Sequence, residues 1–120
     1  MRDRIEADNI VQGAYNRALL DLILAPMRVA AKELGFALAV HGSLNRDVDL
    51  IAVPWVEKDV ATPDDLLTAL IGVCKGVVGR ANCHDKEWVI KPHNRLAKVI
   101  MVYVGENTAH LDLSVMIPQS

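Results

Sequence analysis

The segment 41–55 reads H-G-S-L-N-R-D-V-D-L-I-A-V-P-W and carries the residues best suited to chemistry. Asp47 and Asp49 stand two apart at the entrance of an apolar run, so a strand there sends both carboxylates to one side. Val48 and Leu50 then turn the other way. Paired carboxylates repel and resist joint ionisation, and a hard divalent cation with oxygen ligands, Mg2+ or Mn2+, relieves them. Two positions along a strand are about 6.6 Å apart. That spacing suits one shared ion, or two ions about 3.5–4 Å apart. Just upstream, Gly42 permits close backbone approach, and Ser43 offers a hydroxyl and an amide to a phosphate oxygen.

A further acid lies near the end of the chain. In A-H-L-D-L-S-V-M, Leu111, Leu113 and Val115 face one way, and His110, Asp112 and Ser114 the other. A lone Asp112 in so apolar a strand calls for a partner or a metal; the plain alternative is an acid at an exposed sheet edge. For Asp47 and Asp49 the plain alternative is a capped turn before an ordinary strand. Arg46, inside the turn, is the first candidate to neutralise a phosphate, or else a solvated turn arginine. Lys91 and Arg95 bracket a short basic hairpin that could reach a nucleotide or serve only solubility. His41 and His110 beside the acids would also suit zinc or manganese. Cys74, Cys83 and His84 make an incomplete ligand set and read as a core thiol beside a loop histidine. Trp55 either stacks on a base or closes the edge of the core.

The elements that position these residues follow from periodicity and breakers. Apolar side chains at Tyr15, Leu19, Ile23, Met27, Ala30 and Leu34 predict a helix from about Asp8 to Leu34, kinked at Pro26 or split into two abutting helices. Gly35 should stop it. Phe36–Val40 reads as a first strand buried on both faces. Asp47–Val53 reads as a second, antiparallel to the first across so short a link, and ended by Pro54. Thr62-Pro63-Asp64-Asp65 predicts a capped helix reaching about Lys75, with Gly76 and Gly79 breaking it. Three strands complete the reading: Glu87–Lys91, Leu96–Val104 and His110–Met116, joined by turns at 92–94 and 105–107. The expected fold is α+β. A mixed, largely antiparallel sheet of about five strands would carry a long N-terminal helix and a second packed helix.

The pairing of Gly-Ser with Asp-X-Asp and an apolar strand resembles the nucleotidyltransferase superfamily of the DNA polymerase beta type, most of all its small stand-alone members. The resemblance spans about residues 8–116 and implies that Gly42 and Ser43 contact nucleotide phosphates. It further implies that Asp47 and Asp49 bind magnesium, and that a third carboxylate from a later strand, here Asp112, completes the set. The implied reaction transfers a nucleoside monophosphate from a nucleoside triphosphate to an unidentified acceptor. Only Leu44, Asn45 and Arg46 separate Gly-Ser from the first aspartate, a shorter spacer than the family usually has. A catalytically weak or inactive nucleotide- or metal-binding module, for example one half of a toxin–antitoxin-like pair, is therefore the alternative expectation. Larger members carry a second domain that selects the acceptor, a role left here to a homodimer or a partner protein.

Composition sets the remaining bounds. The 120 residues suit one domain, 1–120. Residues are 52% hydrophobic but only 4% aromatic, so Leu, Val, Ile and Ala must build the core. A net charge of −2 and few stacking rings argue against an extended nucleic-acid surface. Two cysteines are too few for a disulfide framework. The first residues lack the apolar core of a signal peptide, and Asp21 and Arg28 interrupt the apolar stretch 18–31. A cytoplasmic protein with no membrane span is the expectation.

Overall fold

The computed structural model describes residues 6–117; the first five residues, on which part of the signal-peptide reading rests, lie outside this range. Helix α1 spans Glu6–Glu33, with Glu6 and Asp8 in its first turn, where the positive end of the helix dipole favours acids. Its buried stripe runs through Gly13, Asn16, Leu20, Ile23, Met27 and Ala31. Pro26 lies inside this one helix and does not divide it into two. The carbonyl that Pro26 leaves without an N–H partner is that of Leu22, a residue 58% exposed, where water can replace the lost donor. Gly35, at φ +91°, then reverses the chain, as expected of a glycine past a helix end.

Strands β1 (Phe36–His41) and β2 (Val48–Pro54) form the expected antiparallel pair. Helix α2 (Pro63–Val78) follows. The Thr62 hydroxyl accepts the Asp65 N–H at 3.1 Å, and Gly79, at φ +96°, closes the other end with its N–H on the Lys75 carbonyl. The helix passes through Gly76, which the sequence reading took as a breaker. An interior glycine costs only about 1 kcal/mol relative to alanine, too little to stop a helix capped at both ends. The last strands are β3 (Ala81–Asn82), β4 (Val89–Lys91), β5 (Arg95–Val104) and β6 (Asn107–Met116). The two-residue β3 has no counterpart in the sequence reading.

The fold is α+β: two helices and a mixed six-stranded sheet in the order β1-β2-β6-β5-β3, with β4 also on β5. Among the described residues, only β2 and β6 run parallel; every other pair is antiparallel. Alternation sends Phe36, Leu38, Val48, Leu50, Leu111, Leu113, Ile100 and Val102 into one core beneath both helices. Strand β1 lies at the sheet margin, and Ala37 and Ala39 are exposed, which corrects its expected burial on both faces. An apolar run alone cannot distinguish a margin strand from a central one. Among the described residues, no helix is long and apolar enough to cross a membrane.

Candidate functional site

The β2–β6 register sets Asp49 directly beside Asp112. Adjacent strands lie about 4.8 Å apart, and the neighbours Leu50 and Leu113 are both buried, so the two carboxylates share the face turned away from the helices. On the other side of Asp49, β1 contributes His41 as its cross-strand partner. His41, Asp49 and Asp112 therefore form one row across three strands. Crowding leaves its mark on Asp49, whose carboxyl is held above its ordinary value. Partial burial is the main cause, followed by the Asp112 charge; His41 pulls the other way, and Asp47 adds a smaller push upward.

Asp47 lies one residue before β2, in the exposed turn, so the expected pair of strand aspartates is one strand residue and one loop residue. A carboxylate oxygen of Asp47 stands 4.0 Å from Nδ1 of His110. With Arg46, Gln12 and Thr108 these two line a polar cavity of about 140 Å³. Among the described residues, no three His, Cys, Asp or Glu side chains are already gathered around one point in the manner of a metal site. Two carboxylates stand side by side, and the third sits on a solvated turn at their margin.

The Gly-Ser turn is shaped by α1. Gly42 adopts φ +83°, a conformation L side chains rarely take, and a Cβ there would come within 2.8 Å of an Asp49 carboxylate oxygen, so a larger residue is strained and displaces that carboxylate. Leu44 is also at positive φ, 66°. The buried Asn16 amide holds this turn, donating to the Leu44 carbonyl at 2.6 Å and the Arg46 carbonyl at 3.2 Å. Gln12 in turn donates to the Asn16 side-chain oxygen at 2.9 Å. Gly13 lets the turn approach, since a Cβ there would meet the Asn45 side chain at 2.7 Å. Arg17 donates to the Ser43 carbonyl at 3.2 Å, which brings a cation to the Gly-Ser turn. Sequence reasoning missed Asn16 and Arg17. The available signal was a polar residue one turn ahead of Leu20 on the core-facing stripe, three positions after a glycine.

The other candidates fall elsewhere. Lys91 and Arg95 pair with each other across β4 and β5, and Arg95 lies opposite Met116. They are thus toward the far end of β6 from the Gly-Ser turn. Arg95 donates to the Pro92 carbonyl at 3.0 Å and reaches the Ser114 hydroxyl at 3.5 Å, two positions beyond Asp112. Trp55 follows the far end of β2, 54% exposed, with its indole N–H on the Lys32 carbonyl at 3.3 Å. Cys74 is a core thiol, its pKa pushed up to about 11 by burial. Asp85, which the sequence reading passed over, accepts the Val99 N–H at 2.8 Å on the outer side of β5, between the segments paired with β3 and β4.

No known family model matches the chain. No curated protein matches its sequence either.

Proposed function

We propose that the chain binds a nucleoside triphosphate with a divalent metal and transfers its nucleoside monophosphate to an acceptor hydroxyl. The observation that carries this reading is the in-register placement of Asp49 beside Asp112, with Gly42 packed against Asp49. The donor set is all carboxylate oxygen, which suits Mg2+ or Mn2+. Asp49 and Asp112 would hold the ion, joined by Asp47 after a side-chain rotation away from His110. Bound there, the ion would neutralise the triphosphate and acidify the attacking hydroxyl. Asp112 would accept the hydroxyl proton. A bond would form between the acceptor oxygen and the α-phosphorus as the α–β anhydride breaks, with pyrophosphate leaving. Ser43 and the Gly42 backbone would face the phosphates, with Arg17, bonded to the Ser43 carbonyl, and Arg46, in the same turn, as the neutralising cations. Lys91 and Arg95, on the same sheet face but farther along, would meet the acceptor side.

The test is turnover of labelled nucleoside triphosphates in the presence of Mg2+, with pyrophosphate release as the readout. Turnover that disappears in Asp49→Asn and Asp112→Asn supports the reading. Activity retained in either variant removes it. A second reading, a nucleotide- or metal-binding module without turnover and part of a toxin–antitoxin-like pair, is favoured by the position of Asp47 toward His110. Saturable binding with no pyrophosphate release would select it.

A further inference from the structure

Among the described residues, no strand pairs with the side of β1 turned away from β2, and the geometry identifies which groups face out. The Trp55 N–H bonds to the Gly35 carbonyl at 2.9 Å, in line with the β1–β2 register. By alternation, residues 37, 39 and 41 exchange hydrogen bonds with β2. Phe36, Leu38 and Val40 therefore turn N–H and C=O outward. An independent contact agrees: the Arg28 guanidinium donates to the Leu38 carbonyl at 3.1 Å.

Beside this free side, α1 forms the opposite wall of a groove made of three adjoining depressions. The first lies at Val40 and Leu44, the second along Leu24 and Arg28, and the third, about 270 Å³, is closed by Trp55. Shared lining residues, Leu24 and Arg28, join them end to end. The walls are largely apolar, but their charges are uneven: Arg17, Arg28 and Lys32 against Asp21 alone. On a chain of net charge −2, that is a local reversal of sign.

We propose that this groove binds an extended, acidic peptide segment of a partner protein, which adds as a further strand on β1. Alternating outward N–H and C=O groups are matched by another extended peptide backbone, not by a phosphate chain. A margin strand left open in this way is a template for strand addition. The incoming N–H takes over the Leu38 carbonyl, and an incoming carboxylate takes Arg28, so the group that now covers the strand becomes a binding group. Two copies pairing antiparallel about Leu38 would instead bring the Arg28 of each, which sits on the Leu38 carbonyl, toward the Arg28 of the other, which like-charge repulsion disfavours.

The test is selection of random linear peptides on the immobilised full chain, followed by titration of the most enriched synthetic peptide. Enriched sequences should alternate Asp or Glu with apolar residues and lack proline at their centre. Affinity should fall about tenfold or more in the Arg28→Glu, Lys32→Glu double variant, a loss on the scale of one strong contact. It should fall similarly in Val40→Pro, which removes an outward N–H while leaving the β1–β2 ladder donors in place. Amide exchange should slow at Leu38 and Val40 on peptide addition. The proposal is overturned by enrichment of basic peptides, by enrichment equal to that on the doubly reversed variant, by oligonucleotide binding without peptide binding, or by a concentration-dependent dimer that protects the same amides.

Discussion

Asp49 sits between His41 on one neighbouring strand and Asp112 on the other, and its raised carboxyl pKa gives the site a measurable sign. Between the ordinary value and the raised one, the folded chain holds more of this proton than the unfolded chain does. This group therefore lowers stability as pH rises from its ordinary value of 3.8 through the raised one, and the penalty persists above it. Asp49→Asn should unfold at higher denaturant than the parent at neutral pH and should lose that part of the pH dependence. Unfolding curves between about pH 4 and pH 7 check this; a variant as pH-sensitive as the parent would contradict it. Gly42→Ala should cost about 1–2 kcal/mol, from the positive φ and from the contact its Cβ makes with Asp49. Its loss of triphosphate binding should exceed its loss of stability. The shared outward face of Asp49 and Asp112 was legible in the sequence because strand alternation fixes a side chain's face locally, whereas Asp47, in the turn before β2, escapes that rule. That Asp49 and Asp112 stand in register was not, because it depends on pairing between distant segments.

Helix α1 does more than cover the sheet: it grips the Gly-Ser turn through Asn16, 28 positions away in sequence. Asn16→Ala leaves the Leu44 and Arg46 carbonyls without their donor and should cost about 2–3 kcal/mol. Triphosphate binding should weaken in the same variant, whereas Thr62→Ala, which removes only the α2 cap, should cost about 1 kcal/mol and leave binding unchanged. Paired melts and binding titrations separate the two. Asp85→Ala should loosen the β5 margin, seen as faster amide exchange at Val99. Helix positions were legible because α1 and α2 repeat every three or four residues and end at Gly35 and Gly79. Strand β3 escaped notice because two residues carry no periodicity. Strand β1 was misjudged as fully buried because its composition says nothing about its place in the strand order.

At the scale of the molecule, both helices pack on one face of the sheet, leaving the row of His41, Asp49 and Asp112 on the other. Such a layout leaves the acids on the side from which the proposed metal–nucleotide complex and acceptor would arrive. The β1 groove lies along the margin, so a partner seated there need not cover them. The most direct measurement is titration of the full chain with Mn2+ and a nonhydrolysable nucleoside triphosphate, followed by electron paramagnetic resonance, in the parent, Asp49→Asn and Asp112→Asn. The account predicts saturable, triphosphate-dependent Mn2+ binding in the parent, weakened at least about tenfold in each folded variant. Equal Mn2+ affinity in all three proteins would contradict it.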